Sequence, residues 1–348
     1  MNRFILIIFS ITCVLGACEK NILGPAAENT PQENFKVLWT LLDEKYGLFP
    51  VRKANWDSLY TMYSGQIDNS TTENELWTIC GNLITHLNDG HITLFNRNYT
   101  NWLGSSTLDP SKKEGFSREL VKSKYLQNIS VSGEGYITSG KLVNSNIAYL
   151  YISSFNPVPN GRDWIKDIDP IIKKLPDYDA TIIDLRNNGG GFAKNDRYFS
   201  SSFIDRELTY YYSQVKTGTG HSDFGPRTAK IISPRKDNVI YKGKIVLLTN
   251  RFTASGGEIV ALIFKNLAYS TQIGDTTMGC FGEVTQVGQM PNGWTINFPC
   301  TLTTYEDGTS PEGIGIIPDI VIDNTKQDIA AGKDKVLERA IKFLVEGN

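Results

Sequence analysis

The chain is poor in the residues that metal centres and disulfide frameworks need. Its histidines are His86, His91 and His221 alone, too few for a histidine-rich metal site. Beyond the first twenty residues the cysteines are Cys80, Cys280 and Cys300. Their spacing fits no metal set, and an odd, scattered group gives little support for a disulfide framework, so buried or free thiols are expected. An excess of charge of one sign is missing too. The 35 Lys and Arg nearly cancel the 37 Asp and Glu, the net charge is −2, and no basic run is present, which argues against nucleic acid as a partner. After residue 15 no apolar run is long enough to span a membrane. No metal and no cofactor is expected.

What is present begins with an export signal. Asn2 and Arg3 precede an apolar run from Phe4 to Leu15, broken only by Ser10 and Thr12, and small residues follow. Leu15-Gly16-Ala17-Cys18 resembles the bacterial lipobox, which implies cleavage before Cys18, lipidation of that cysteine and a lipid-anchored place in the cell envelope, periplasmic or outer-membrane. An ordinary signal cleaved after Ala17 is the alternative. Residues 1–17 are therefore set aside, and 18–33, with Pro25 and Pro31 and no periodicity, read as a tether.

From Phe35 the apolar positions Phe35, Leu38, Trp39, Leu42 and Tyr46 recur at the helical period, and further helices fit Trp56 to Ile67 and Thr72 to Leu87, the last opened by a Thr72-x-x-Glu75 capping box. These define an N-terminal helical domain over 34–96. Residues 97–145, rich in Ser, Asn and Gly, read as a small β-rich insert. Over 146–348 short apolar runs at Ile147 to Ile152, Thr181 to Leu185 and Ile245 to Leu248 alternate with helical patterns, the sign of a layered α/β domain. Met290-Pro291-Asn292-Gly293 marks a hairpin turn and Val336 to Val345 a terminal helix.

Two segments could carry chemistry. Thr253-Ala254-Ser255-Gly256-Gly257-Glu258 follows a strand and opens a helix, which places a hydroxyl beside the outward-pointing amides of a helix N-terminus. The plain alternative is that Ser255 is an N-cap and Glu258 completes its capping box. Asp184-Leu185-Arg186-Asn187-Asn188-Gly189-Gly190-Gly191 also ends a strand, and its glycines expose backbone N–H groups of the kind an oxyanion hole or peptide-binding nest uses. A flexible turn is the alternative there. Asp184 and Arg186 are expected to stabilise the loop rather than touch substrate.

Five segments in order then resemble the C-terminal processing and tricorn protease superfamily. They are Leu87-Asn88-Asp89-Gly90-His91, Asp184-x-Arg186-x-Asn188-x-Gly190-Gly191, Thr253-Ala254-Ser255-x-x-Glu258, Gly274-Asp275-x-Thr277-x-Gly279 and Gly313-Ile314-Gly315-Ile316-Ile317-Pro318-Asp319. The resemblance implies an α/β, Clp protease/crotonase-like catalytic domain and peptide hydrolysis through an acyl-enzyme. Ser255 falls on the nucleophile, Gly190 and Gly256 on the oxyanion hole, and Gly189 and Gly191 on the substrate-binding loop. The tail-processing branch uses a lysine after the "T-x-G" element, but no lysine occurs between Lys265 and Lys326. The tricorn-like branch uses a histidine and a glutamate, which His91 and Glu312 match, with Glu306 or Asp307 as other candidates for the acid. An imidazole can take the serine proton at neutral pH and return it to the leaving amine, with a carboxylate orienting it.

Between His91 and Ile147 there is too little chain for a PDZ module, so substrate choice is expected from the cleft, with an extended peptide added as a strand. His221 is a lesser candidate for substrate contact, and Cys280, with nothing nearby to activate a thiolate, is not expected to be a nucleophile. The expected function is a serine endopeptidase acting on peptides or protein tails. The alternative is an envelope lipoprotein of the same fold that binds peptides or other ligands without cleaving them.

Overall fold

A computed structural model describes residues 27–98, 100–104, 109–237 and 240–347. The signal and Cys18 lie outside the described residues.

The centre of the molecule is a seven-stranded sheet. Its order runs Ile320–Val321, Ser270–Gly274, Lys244–Thr249, Ala180–Asp184, Ile147–Ile152, Ile137–Leu142, Leu126–Ser132. The first five are parallel and the last two antiparallel. The three apolar runs expected as strands are its middle members, and they are buried along nearly their whole length. Alternate residues sort to the two faces, as a period of two requires. Ile183, Ile245 and Leu247 pack with the helix Gly256–Lys265 and with Phe199 and Phe203. Ile182, Val246 and Leu248 pack with Tyr149, Tyr151 and the terminal helix Lys335–Glu346.

The helices Pro31–Lys45, Trp56–Ser64 and Glu73–Thr85 form a second core. The first begins within the stretch read as tether, capped by Thr30, and the third opens on the expected box, with Glu75 Oε2 accepting the Thr72 N–H at 2.8 Å. The helical unit does not close on itself. A hairpin from the other end of the chain, Val284–Gln289 and Thr295–Pro299, turns at the expected Met290 to Gly293 segment and pairs with Thr93–Phe95. Its Met290, Trp294, Ile296 and Phe298 complete the helical core.

The stretch 97–145 is likewise not a separate insert. Asn101–Leu103 joins that small sheet, while Leu126–Ser132 and Ile137–Leu142 extend the central one. A third sheet of three strands, Thr301–Thr304, Leu208–Val215 and Thr228–Ile232, stands beside the cleft described below. Among the described residues no helix is long and apolar enough to cross a membrane.

Candidate active site

Parallel pairing of Ala180–Asp184 with Lys244–Thr249 makes the loops after these strands leave the same edge of the sheet side by side. Such edges, at the carboxyl ends of parallel strands, are where α/β proteins bind ligands. One loop carries the glycines and the other carries Ser255.

Ser255 sits at φ 51°, ψ −120°, a conformation costing a non-glycine residue on the order of 1–3 kcal/mol and kept only where neighbours enforce it. Buried Glu258 does so by accepting the Ser255 N–H at 3.1 Å, together with Thr277 Oγ1 (2.6 Å) and the N–H groups of Gly279 (2.6 Å) and Cys280 (2.8 Å). Glu258 thus reaches back to the serine backbone as a capping box would have it. Its own N–H donates to the Ser255 carbonyl at 2.8 Å. Ser255 lines a cleft of about 480 Å³.

Gly190 has φ +87°, and a Cβ there would stand 2.5 Å from Gly256 N and 2.8 Å from Ser255 Cβ. Only glycine lets the two loops touch. The amide of Gly190, however, is spent inside the loop, donating to Asn188 Oδ1 at 2.8 Å, while its carbonyl accepts from Phe155 N at 2.8 Å. The Gly190 amide, expected as a donor to substrate, is therefore not free. Among the described residues the N–H groups of Gly191 and Gly256 make no hydrogen bond, and both glycines line the cleft with Ser255. Gly189 is exposed, with open space around it and no part in the cleft wall.

Arg186 anchors this loop from behind. It is 1% exposed and bonds Asp184 Oδ2 at 2.6 Å and Asp334 Oδ1 at 2.8 Å, tying the loop to the start of the terminal helix. The guanidinium also lies over the Phe116 ring, 4.5 Å from its centre.

His91 reaches the cleft from the opposite side of the molecule's connectivity. The hairpin that completes the helical core pairs Thr93 with Asn297, and in the turn before that strand a Cβ on Gly90 would stand 3.0 Å from Cys280 Sγ and 3.3 Å from Met278 Sδ. The turn is closed by Asp89, whose Oδ1 accepts the His91 N–H at 2.8 Å and whose Oδ2 accepts Tyr46 Oη at 2.7 Å. His91 and Ser255 line the same cleft. Burial lowers the His91 pKa below its ordinary value and Arg52 adds to this, whereas the charge of Asp89 and the backbone of Gly282 pull the other way. Nδ1 has no hydrogen-bond partner among the described residues.

Glu312 is not joined to His91 by a hydrogen bond. It is 4% exposed, and its Oε1 accepts from Arg52 Nη2 at 2.7 Å while Oε2 accepts the N–H groups of Phe281 (2.8 Å) and Gly282 (3.0 Å). Glu312 thus fixes the 281–282 backbone, which lines the cleft together with His91. Burial pushes its carboxyl up to about 8, helped by Asp89 and opposed by Arg52. Oxygen atoms of Glu312 and Asp89 and the sulfur of Cys280 lie within 4.8 Å of one another. Three such groups resemble a cation site, but the Arg52 guanidinium already supplies the positive charge. Glu306 and Asp307 are exposed and outside the cleft wall.

The remaining candidates fall elsewhere. His221 Nε2 bonds Asp43 at 2.7 Å and its ring stacks on Phe49, pinning a loop to the first helix rather than facing the cleft. His86 closes its helix and bonds Tyr63 Oη. Cys80, Cys280 and Cys300 are buried and free, and burial raises the Cys280 thiol well above its ordinary range.

A serine at an enforced turn, free amides at its side and an imidazole on the same cleft define a nucleophilic-serine site. Residues 146–322, just over half of the chain, match the model of Peptidase family S41, and residues 27–85 match the Tricorn protease C1 domain. The chain belongs to peptidase family S41. It is 28% identical over 170 residues to the tricorn protease of Thermoplasma acidophilum, covering 49% of this chain and 14% of that protein. To the carboxy-terminal processing protease CtpB of Bacillus subtilis it is 24% identical over 220 residues, covering 63% of this chain and 42% of that one. The chain therefore spans less than half the length of these curated relatives. A crystallised candidate peptidase from Parabacteroides merdae superposes with a TM-score of 0.80 at 25% identity, over 91% of this chain and 98% of that one. Mature CPAF, solved with lactacystin bound, superposes at 0.70 and 14% identity over 92% and 99% of the two chains, a likeness of fold.

Sequence reasoning missed five contributors. Asp89 stood inside a quoted motif without a role, although a carboxylate two residues before the histidine could have been read as an Asx turn. Arg52 and Tyr46 had no local signal, because their partners lie far along the chain. The free amide of Gly191 was hidden by the Asn188 side chain, which takes that of Gly190. Asp196, on the cleft wall, was not singled out at all.

Proposed function

We propose that this chain is a serine endopeptidase that cleaves peptides or protein tails through an acyl-enzyme. The observation that carries the reading is that Ser255 and His91, from distant segments, line one cleft. Ser255 Oγ attacks the scissile carbonyl carbon and His91 takes its proton. The oxygen that becomes negative is held by the N–H groups of Gly191 and Gly256. The C–N bond then breaks as His91 passes the proton to the leaving amine, and water repeats the sequence to release the acyl group. Asp89 is the carboxylate whose charge favours the imidazolium, while Glu312 and Arg52 are positioning residues that hold the 281–282 backbone.

The peptide is proposed to lie extended along Val284–Gln289. That strand is an edge of its sheet, its first residue lines the cleft, and Val287 is 65% exposed. An open edge offers main-chain bonding to a substrate of any sequence.

The pH dependence of kcat/KM tests the base. Because the His91 pKa is lowered, the imidazole stays neutral into mildly acidic solution, and the rate should fall only below pH 6.5, the ordinary histidine value. An acid limb centred above that value, or wild-type rates in His91→Ala, would count against His91 as the base.

The location is proposed to be the cell envelope, with the lipid on Cys18. The lipobox-like Leu15 to Cys18 supports this. Cys18→Ser should lose metabolic labelling with palmitate and move from the membrane pellet to the soluble fraction. Continued labelling of that variant would dismiss the anchor.

A further inference from the structure

Arg197 lies in the helix Ala193–Ser200, directly after the glycine loop, and lines the Ser255 cleft half-buried. Its Nε donates to Tyr210 Oη at 3.0 Å. Neither Nη atom has a hydrogen-bond partner among the described residues, and neither is sealed from solvent. The groups whose charge could balance the guanidinium are Tyr210, Asp196 and Tyr211. Burial raises the pKa of all three, Asp196 to about 8, so at pH 7 they are predominantly protonated. The other charges of the cleft wall cancel, because Lys230 Nζ lies 3.3 Å from Glu283 Oε1. His91, its pKa lowered by burial, is neutral. Two cations, Arg197 and Lys230, thus stand against one ionised carboxylate, Glu283, and the unbalanced charge sits on Arg197. A half-buried guanidinium without a counter-ion is costly until an anion from outside pairs with it.

We propose that Arg197 is the specificity-determining residue of an anion subsite beside the scissile bond, where it takes a carboxylate of the substrate. The assignment rests on the peptidase reading above. A guanidinium is a planar fork that meets a carboxylate with two parallel N–H···O bonds, and the two free Nη atoms form such an edge. Tyr210, by holding Nε, fixes the plane of the fork. The neighbouring Asp196 packs against the first residue of the serine helix, its Oδ2 lying 2.8 Å from where a Cβ on Gly256 would stand. The helix that carries Arg197 is therefore seated directly against the turn that carries Ser255. The carboxylate can belong to an aspartate or glutamate side chain or to the C-terminus of the peptide, and Arg197 offers both the same bonds. An amide in its place brings no charge to the guanidinium.

Peptides carrying one glutamate at successive positions on both sides of the cleaved bond test this, each compared by kcat/KM with its glutamine counterpart and made with a free and with an amidated C-terminus. Wild type should prefer glutamate over glutamine at one position, or the free acid over the amide, by at least about tenfold, the lower end expected of a charged hydrogen bond. The first pattern identifies a side chain as the source of the carboxylate, and the second a chain end. In Arg197→Gln the preferred ratio should fall to within about twofold, whereas Arg197→Lys, which keeps the charge without the fork, should retain part of it. The wild-type ratio should also fall between pH 7 and pH 9, as Asp196 ionises beside Arg197 and balances its charge. Tyr210 and Tyr211 stay protonated over this range, and titration of His91 and Glu312 and the Lys230–Glu283 pair act on both peptides alike and cancel in the ratio. A wild type with no ratio above about twofold overturns the proposal, as does an undiminished ratio in Arg197→Gln. If that variant turns over no peptide, the wild-type ratios decide, and a ratio flat from pH 7 to 9 overturns the assignment. Ser255-dependent cleavage without a carboxylate preference sinks this inference alone, whereas Ser255-independent cleavage sinks the peptidase reading.

Discussion

Ser255→Ala is expected to lower peptide hydrolysis by about 10⁴- to 10⁶-fold, the loss typical when the nucleophile of a serine site is removed. The residual rate would come from the amides of Gly191 and Gly256, which remain in place to polarise a bound carbonyl. The fold should survive. The enforced backbone at residue 255 is held by Glu258 through the residue's own N–H, which alanine retains along with the Cβ that packs on Gly190. Single-turnover assays with purified variant, compared with its urea unfolding curve, check both halves. Hydrolysis at wild-type rates by a folded Ser255→Ala protein would mean that the cleft serves something other than serine catalysis.

Arg186→Ala should produce the largest loss of stability, about 3–5 kcal/mol, as expected when one member of a buried ion cluster is removed. The guanidinium is the partner of Asp184 and Asp334, each 0% exposed. Its removal leaves two carboxylates to Tyr149 Oη, Asn324 Nδ2 and backbone N–H groups, which are hydrogen-bond donors without a full charge. The sign of the pH effect follows from Asp334. Burial works to raise its pKa, but Arg186 and the surrounding donors outweigh burial and hold it below the ordinary value. A depressed carboxyl contributes stability above its unfolded pKa, near 3.9, and loses it as pH falls through the folded value. The deficit of Arg186→Ala relative to wild type should accordingly narrow in acid. Urea midpoints at pH 7 and pH 3 measure it. A difference under about 1 kcal/mol at pH 7 would show that the loop does not depend on this anchor.

The parts of the fold that sequence made legible are those whose burial is uniform. Ile147–Ile152, Ala180–Asp184 and Lys244–Thr249 are covered on both faces, so they read as continuous apolar runs regardless of their neighbours. The strand Leu126–Ser132 was illegible for the opposite reason. It is a sheet edge with most of its side chains exposed, and its composition therefore resembles a loop. The hairpin 284–299 was recognised by its turn, but its allegiance to the helical core was not, because pairing between Thr93 and Asn297 leaves no local trace.

The site divides in the same way. Ser255, His91 and the glycines could be located because each sits in a short motif with a local physical role. The wiring between them could not. Glu312 was expected beside the imidazole, yet its nearest cation, Arg52, comes from the N-terminal unit, and the carboxylate is spent on that residue and on the 281–282 backbone. The loss of the Gly190 amide as a donor to substrate depends on a side chain bending back two residues, a detail that follows from Asn188 being buried and needing partners for both ends of its amide.

The reach of an imidazole to a hydroxyl across that wiring is what every step of the chemistry requires. Treating the protein with a fluorophosphonate and locating the adduct by mass spectrometry measures it directly, since only an activated serine reacts quickly. The expected result is a single adduct on Ser255, formed at least about a hundredfold more slowly in His91→Ala. No adduct on Ser255, or labelling at an equal rate without the imidazole, would contradict it.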